Sequence, residues 1–421
     1  MNERSVSVNG ISIYSLTNPN LRSFCLSLYV RAGSIFEDLS NNGISHLFEH
    51  VVFRNIKNKY ENFYELLAMH GLCFQGSTYK KFVSFTIDGP QHEFDFAIEI
   101  LCGLFDEIKL TSHDFNNEKG RIKAEIREKD RRSSLDFYFN SIVWKNSEVE
   151  KIVLGYCKTI DRVSVKKINE FRQKVLSAGN CFVYATGNIS DKNLDALNKK
   201  ISELDISQSN PGFTNTVTVN NEFFHREKKI WIKNNYWHYI QIGFDVDCSK
   251  YPGGVYDLLY ALLFNGDKAL VYNYLSEDNP IIYSYDSTFE QYDNVGNINF
   301  SFEVDRNKIE DVFKTVVELL NAAKDGRFNF EANLNYEMFN WELDLDNPDN
   351  LNWNMAYYNH ILKTQPIDYS DEFYGRFRVT KEQIIDAAKY IFRRCNMTVA
   401  VKGDRKKINA EAIEKILESL D

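Results

Sequence analysis

The sequence has no long apolar run, no concentrated basic stretch and no pair of cysteines in a C-x-x-C pattern. We therefore expect no segment that crosses a membrane as a helix, and the N-terminus lacks the apolar core of a secretory signal. The net charge is −9 and the basic residues alternate with acids, which argues against a nucleic-acid partner. The seven scattered cysteines are typical of reduced thiols, so a cytoplasmic location is expected.

Histidine is scarce as well, with eight residues in the chain, yet two of them lie within five positions. The segment from His46 to His50 reads H-x-x-E-H, the inverse of a zinc-protease motif. Asn41 and Asn42 are candidates for the N-cap of a helix. On that helix His46 and His50 would share one face, and Glu49 would reach a metal-bound water. The motif predicts a zinc site, and the alternative is a core helix with two hydrogen-bonded histidines.

A catalytic zinc ion usually takes three protein ligands, so a third ligand is expected outside this segment. Glu125 is the best candidate. It shares a helical face with Glu118 and Ile122, and the helix begins with a capping-box pattern at Thr111 and Asp114. Lysines and arginines surround Glu125, however, as they would on a solvated charged helix. Spacing alone leaves both interpretations open.

Residues 43–53 read Gly-Ile-Ser-His-Leu-Phe-Glu-His-Val-Val-Phe. They resemble the signature of the M16 metallopeptidases, the family of pitrilysin, insulinase and mitochondrial processing peptidase. Residues 31–37 are similar to the strand and loop that lead into this signature. Glu118 and Glu125 match the family's downstream glutamate pattern. The resemblance is dense over residues 1–130 and weaker over the rest.

The resemblance assigns a role to each of these polar residues. It implies one zinc ion per chain, with His46, His50 and Glu125 as ligands. Glu49 would be the catalytic base, which takes a proton from the attacking water. Glu118 would be a further carboxylate near the catalytic site that supports the zinc ligands.

An internal repeat divides the chain. Residues 164–168 recur as residues 380–384, and residues 180–188 recur as residues 396–404, at the same offset of 216 positions. Each block reads as a capped helix, a short apolar strand, a glycine turn and another helix. We therefore predict an α+β fold of two homologous α/β roll units, each with an antiparallel or mixed sheet flanked by helices.

The predicted boundaries follow this repeat. Residues 1–206 would form an N-terminal catalytic unit that carries zinc, residues 207–224 a linker, and residues 225–421 a C-terminal unit without the zinc motif. In the M16 family two such halves face each other and enclose a chamber. The same arrangement is expected here.

The segment Phe74-Gln75-Gly76 resembles the edge strand beside the zinc ion in that family, where peptide substrates add by main-chain pairing. Gln75 and Gly76 replace the usual asparagine and alanine, so the side-chain contact expected at Gln75 differs from that of the family. The alternative is an ordinary hairpin turn with Gly76 at its tip.

The second half departs from the family at one position. Members carry an arginine and a tyrosine that contact the substrate and the oxyanion. This chain has Tyr283, but Ser276 stands at the arginine position, and a serine is too short and uncharged to replace a guanidinium. We expect the chain to be the zinc-bearing partner of a heterodimer with a second M16-like chain. A homodimer and a self-sufficient monomer are the alternatives.

The resemblance implies a zinc-dependent metalloendopeptidase that acts on peptide substrates in a closed chamber. A specialised processing role, such as removal of leader peptides, is the expected function. One alternative is a broad oligopeptidase that clears peptides. Another is a non-catalytic scaffold or regulatory subunit of the same fold, against which the complete motif argues.

Overall fold

The computed structural model describes residues 3–132, 134–209, 212–213, 230–234, 238–305, 307–363, 367 and 378–420. The strands in these ranges are β1 (Arg4–Val8), β2 (Ile11–Thr17), β3 (Ser23–Val30), β4 (Cys73–Thr78), β5 (Val83–Pro90), β6 (Cys181–Gly187), β7 (Ile230–Asn234), β8 (His238–Asp247), β9 (Tyr285–Tyr292), β10 (Val295–Val304) and β11 (Met397–Gly403).

The α-helices of the same ranges are α1 (Ile44–Lys59), α2 (Phe63–Met69), α3 (Phe94–Gly103), α4 (Ser112–Arg132), α5 (Ser134–Val143), α6 (Cys157–Asp161), α7 (Val165–Val175), α8 (Asp191–Ser202), α9 (Gly253–Phe264), α10 (Leu270–Tyr272), α11 (Ile309–Lys324), α12 (Phe330–Asp344), α13 (Pro348–Met355), α14 (Lys381–Ile391) and α15 (Ala410–Leu417). Two π-helical turns follow α10 and α13, at Asn273–Glu277 and Ala356–Leu362. No helix in the described part of the chain combines the length and hydrophobicity needed to traverse a bilayer.

The chain forms two compact units, each made of discontinuous segments. Unit 1 comprises Met1–Arg132, Lys151–Thr216 and Leu343–Ile361, and unit 2 comprises Ser133–Glu150, Val217–Glu342 and Leu362–Asp421. The predicted linker, residues 207–224, lies mostly outside the described residues. The boundaries drawn from the sequence repeat therefore stay a prediction, whereas the predicted α+β class is confirmed.

Unit 1 is built on a mixed sheet with the strand order β1-β2-β6-β3-β5-β4 in the described residues. Only β2 and β6 run parallel, and every other pair is antiparallel. Helices α1 and α3 pack on one face of this sheet. Side chains such as Leu28, Phe48 and Phe85 fill the core between them. Strand β4 lies at the edge of the sheet beside α1, which places an open strand edge next to the H-x-x-E-H helix.

Unit 2 repeats this topology. Its described strands are ordered β7-β11-β8-β10-β9, with β7 and β11 parallel and the rest antiparallel. The repeat extends to single hydrogen bonds. The amide nitrogen Nδ2 of Asn180 donates to the carbonyl of Val175 at 2.8 Å, and that of Asn396 donates to Ile391 at 2.9 Å. The two units therefore share one architecture, as the internal repeat predicts.

Each unit covers the second face of its sheet with a helix from the other half of the sequence. Helix α13 packs on β3 and β6 of unit 1, whereas α5 packs on β8 and β11 of unit 2. Asn352 of α13 is buried, accepts the hydroxyl of Tyr29 at 2.9 Å and donates to the carbonyl of Tyr184 at 3.0 Å. These bonds explain why a polar helix can be buried on the sheet.

Candidate metal centre

Helix α1 carries the H-x-x-E-H motif, and a carboxylate from the preceding loop fixes its first turn. Gly43 is the N-cap and adopts a left-handed conformation with φ 93°. Glu37 accepts hydrogen bonds from the backbone nitrogens of Gly43 and Ser45 at 2.7 and 2.8 Å. The expectation that Asn41 or Asn42 caps this helix is therefore wrong.

The two histidines of α1 lie side by side, and Glu125 of α4 lies opposite them. The centroids of the imidazole rings of His46 and His50 are 4.7 Å apart. The Nε2 atoms of His46 and His50 lie 3.6 and 4.0 Å from the same oxygen, Oε2 of Glu125. Half of the predicted capping box at the start of α4 is present. Thr111 Oγ1 accepts from the backbone nitrogen of Asp114 at 3.1 Å, but the carboxylate of Asp114 accepts from the Thr111 hydroxyl at 2.8 Å and not from its backbone nitrogen.

These distances fit a shared metal ion better than direct hydrogen bonds. Two donors that share a tetrahedral zinc ion lie about 3.3 Å apart, given zinc–ligand distances near 2.0–2.1 Å. One atom each from His46, His50 and Glu125 lies within 4.8 Å of the other two. Two imidazoles and one carboxylate are also the ligand types that zinc accepts in catalytic sites. These three side chains can therefore hold a zinc ion.

Glu118 lies between His50 and two arginines. Its side chain is 2% exposed, and its Oε2 atom lies 3.6 Å from Nδ1 of His50. Arg54 and Arg121 approach Oε1 of Glu118 at 2.9 and 3.2 Å. Burial opposes ionisation, but His50 and the two arginines together lower the pKa of Glu118. An ionised Glu118 orients His50 so that Nε2 points towards Glu125.

Glu49 is held between the histidines and strand β4. Its Oε2 atom lies 4.0 Å from Nε2 of His46 and accepts the hydroxyl of Thr78 at 3.0 Å. A Cβ atom on Gly76 would lie only 2.9 Å from Oε1 of Glu49. Burial raises the pKa of Glu49, although the charge of His50 and the bond from Thr78 partly offset this effect. A carboxylate with a raised pKa is a stronger base than a free one.

The proposed substrate strand is β4, and its residues alternate between two faces. Phe74 is 7% exposed and stacks on Phe53 with ring centroids 4.4 Å apart, so only its main chain is open to a ligand. Gln75 is exposed on the opposite face. Gly76 lies within β4 opposite Phe85, so the alternative with Gly76 at a hairpin tip is wrong. The substrate role of this strand stays a prediction.

Tyr283 and Ser276 belong to unit 2. Tyr283 is 98% exposed in the loop before β9, and Ser276 lies in the π-helical turn Asn273–Glu277. The structure brings together the predicted zinc ligands, Glu49 and Glu118 within unit 1. A catalytic role for Tyr283 stays a prediction.

Three residues of this site are not among the functional residues predicted from the sequence: Glu37, Arg54 and Thr78. Arg54 had a usable signal, because it lies four positions after His50 and therefore on the same face of the helix. Glu37 and Thr78 reach the site from a loop and from a neighbouring strand. Sequence distance gives no indication of either contact.

Comparison with known proteins agrees with this geometry. A profile described as insulinase, peptidase family M16, matches residues 13–155. A second profile, the peptidase M16 inactive domain, matches residues 162–332. The two profiles thus cover both halves of the chain, and only the first covers the H-x-x-E-H motif.

Curated relatives include zinc proteases and processing-peptidase subunits. An uncharacterised zinc protease of Bacillus subtilis, YmxG, is 21% identical over 332 residues, covering 77% of this chain and 79% of that protein. The mitochondrial-processing peptidase subunit beta of Saccharomyces cerevisiae is 23% identical over 189 residues, covering 44% of this chain and 41% of that protein. The match therefore spans less than half of the yeast subunit.

Solved structures show the same fold over nearly the whole chain. A protease from Helicobacter pylori superposes with a TM-score of 0.79 at 18% identity, covering 96% of this chain and 99% of the other. A peptidase M16 inactive domain from Pseudomonas fluorescens gives a TM-score of 0.79 at 14% identity, with 96% and 98% coverage. At these identities the likeness establishes the fold alone.

Proposed function

Because the chain belongs to peptidase family M16, we propose that it is a zinc-dependent metalloendopeptidase. One observation carries the proposal. The Nε2 atoms of His46 and His50 converge on one oxygen of Glu125, and Glu49 lies beside them. The zinc protease YmxG of Bacillus subtilis, which the chain resembles over most of its length, supports the same class of activity.

The proposed reaction is hydrolysis of a peptide bond without a covalent enzyme intermediate. A zinc ion held by His46, His50 and Glu125 would supply a Lewis acid for the scissile carbonyl and for the attacking water. Glu49 removes a proton from the water as its oxygen attacks the carbonyl carbon. Glu49 then gives that proton to the amine nitrogen as the C–N bond breaks. Thr78 holds the carboxylate in place through its hydrogen bond.

The substrate would be an extended peptide that pairs with the open edge of β4. Main-chain pairing gives affinity without demanding one side chain. Gly76 suits this position, because its lack of a Cβ leaves room for the carboxylate of Glu49. The backbone of β4 would thus place a scissile bond beside the metal ligands. We further propose that cleavage takes place in a closed chamber and in the cytoplasm.

We also propose that the chain works with a second M16-like chain. Ser276 stands where family members carry an arginine, so a partner would supply the missing guanidinium. The processing-peptidase subunit among the relatives is by its name one of several subunits, which supports this arrangement. Removal of leader segments from peptides would be the specialised task of such a pair.

The test is zinc content together with peptidase activity, measured for the purified wild type and for Glu49→Gln. We expect about one zinc ion per chain in both proteins and cleavage by the wild type alone. Addition of the protein encoded by the neighbouring gene tests the partner. Full activity of a purified homodimer would overturn the heterodimer. Absence of bound zinc would instead favour a scaffold of the same fold.

A length series of peptides separates a processing enzyme from a broad oligopeptidase. A processing enzyme should cut one bond in long substrates and leave short peptides intact. An oligopeptidase should cut many short sequences at comparable rates. Mass spectrometry of the products distinguishes these outcomes directly.

A further inference from the structure

The sheet of unit 1 has a polar surface on the face opposite to α1. In β4 the side chains of Gln75 and Ser77 lie on this face, whereas Gly76 and Thr78 face Glu49. Their partners across the strand pair, Thr86 and Ser84 of β5, are polar as well. A sheet face that a helix covers is usually apolar, so this surface needs another explanation.

The segment around α13 covers part of this surface and leaves a cavity of about 340 Å³. Its floor is formed by β4 and β5, and its walls come from residues 344–354 of the same unit. This volume is large enough for a long side chain of a bound peptide. The cavity therefore lies on the far side of the edge strand from the metal centre.

The acidic residues that line the cavity favour a cation. Asp344 and Asp349 both line it, and among the described residues no lysine or arginine does. Asn350 and Asn354 donate to Asp344, each at 2.9 Å, and hold that carboxylate in the wall. The carboxylates of Asp344 and Asp349 therefore attract positive charge to the cavity.

Two aromatic rings form the apolar part of the wall. Tyr79 and Trp353 line the cavity with ring centroids 5.2 Å apart. A lysine or arginine side chain presents an apolar stem and a charged end, and aromatic faces bind both parts. Aromatic and acidic walls together suit these two residue types better than a neutral side chain.

We propose that this cavity is a specificity pocket for a lysine or arginine side chain of the peptide substrate. The inference rests on the proposed function, since it requires a peptide paired with β4. In such a peptide every second side chain lies on the face of Gln75 and Ser77, while the others face Glu49. The basic residue is therefore separated by an odd number of positions from a residue that faces the metal centre.

The test uses the full, zinc-loaded chain and a set of matched peptides. Lysine is moved through the positions around the scissile bond of a parent peptide, with norleucine as the uncharged equivalent. We expect lysine at one position, or at alternate positions, to raise kcat/KM at least tenfold, mainly by lowering KM. Asp349→Asn and Asp344→Asn should each reduce this preference at least fivefold. Asp346→Asn, an exposed change outside the cavity, should preserve it.

A binding measurement separates this inference from the proposed catalysis. In a Glu49→Gln background, fluorescence anisotropy reports the affinity for labelled lysine and norleucine peptides without cleavage. The pocket is supported if the lysine peptide binds more tightly than the norleucine peptide and Asp349→Asn abolishes this difference. This result does not require that any peptide is cut. Equal affinities, or a preference that survives both aspartate changes, would overturn it. If no peptide is cut under any condition, the proposed function fails by itself.

Discussion

Glu118 is a buried carboxylate beside the proposed ligand His50. It contacts Nδ1 of His50 on one side and two arginines on the other. The carboxylate therefore favours a proton on Nδ1 of His50, which leaves Nε2 on the side of Glu125. No other residue on the described part of α4 combines this burial with contact to a histidine of the motif.

We predict that Glu118→Gln lowers zinc affinity by about 10- to 100-fold. The amide keeps the shape of the side chain but loses the charge that holds His50 and the arginines. Competition with a chromogenic chelator gives the affinity directly. Glu99→Gln on the exposed face of α3 is the matched control and should bind zinc like the wild type. Unchanged affinity in Glu118→Gln would contradict the orienting role.

Asp88 titrates within the range of ordinary buffers. Burial raises the pKa of its carboxyl to about 6, and the charge of Asp349 adds to this rise. Its Oδ1 atom is buried without a hydrogen-bond partner among the described residues. An acid with a raised pKa keeps its proton more tightly in the folded chain than in the unfolded chain. Its stabilising contribution is thus complete below about pH 4 and is lost as the pH rises through about 6.

We predict that Asp88→Asn is more stable than the wild type at pH 7.5, by up to about 3 kcal/mol. The amide of asparagine is neutral at every pH, so folding at pH 7.5 does not bury a charged carboxylate at this position. The advantage should shrink as the pH falls from 7 to 4. Urea unfolding of both proteins across this range gives the difference in free energy of unfolding. A difference that stays constant with pH would show that Asp88 does not titrate in the folded chain.

At the scale of elements, the site depends on the close approach of β4 and α1. The absence of a Cβ at Gly76 lets the strand lie against the carboxylate of Glu49. Phe74 of β4 also stacks on Phe53 of α1, and this buried contact holds the strand and the helix close together. The edge strand β4 and helix α1 therefore pack directly against each other.

We predict that Gly76→Val displaces Glu49, breaks its bond to Thr78 and lowers kcat by about 100-fold. Zinc content should remain near that of the wild type, because the three atoms nearest to an added Cβ all belong to Glu49, which is not a proposed ligand. The control is Gly120→Ala on α4, where an added Cβ meets no atom within 4 Å. That change should leave kcat unaltered and stabilise the helix by about 1 kcal/mol. Retained activity in Gly76→Val would show that Glu49 tolerates displacement.

The spacing of His46, Glu49 and His50 predicts the motif helix, which the structure has as α1. Glu125 as the third ligand and the segment around Gln75 as an edge strand follow from the family resemblance, because spacing alone leaves alternatives open. The strand is present as β4 at the sheet edge, and the ligand role of Glu125 stays a prediction.

The sequence did not predict that α5, from the first half, packs on the sheet of unit 2, or that α13, from the second half, packs on the sheet of unit 1. An apolar stripe indicates that a helix packs against something, but it does not specify which sheet it covers. Asn352 carries no local signal either, since its partners Tyr29 and Tyr184 are more than 150 positions away.

At the scale of the whole molecule, the two units are copies with different chemistry. The motif helix α1 carries two histidines, whereas α9, the first helix after β8 in unit 2, reads Gly-Gly-Val-Tyr-Asp-Leu-Leu-Tyr-Ala-Leu-Leu-Phe. Most of its side chains are buried in the core of unit 2. One copy keeps a polar site, and the other uses the corresponding part of its fold for packing.

We predict that residues 1–206 and 225–421, expressed separately, fail to fold, because each fragment lacks the helix that covers its sheet. Co-expression should restore a soluble complex. Circular dichroism melting and size-exclusion chromatography report both results. As a control, residues 1–206 fused at the C-terminal end to residues 343–361 should regain a cooperative melting transition. A stable, cooperative fragment 1–206 on its own would contradict this prediction.

The exchanged helices also constrain how the protein is made on the ribosome. The last strand of unit 1 ends at Gly187, yet α13 ends only at Met355. At about 5–20 residues per second, synthesis of the intervening chain takes roughly 8–34 s, and the sheet lacks its covering helix for that time. During that interval Asn352 is absent and the second face of the sheet is open to solvent. A slower rate of synthesis therefore lengthens the time for which this sheet face is uncovered.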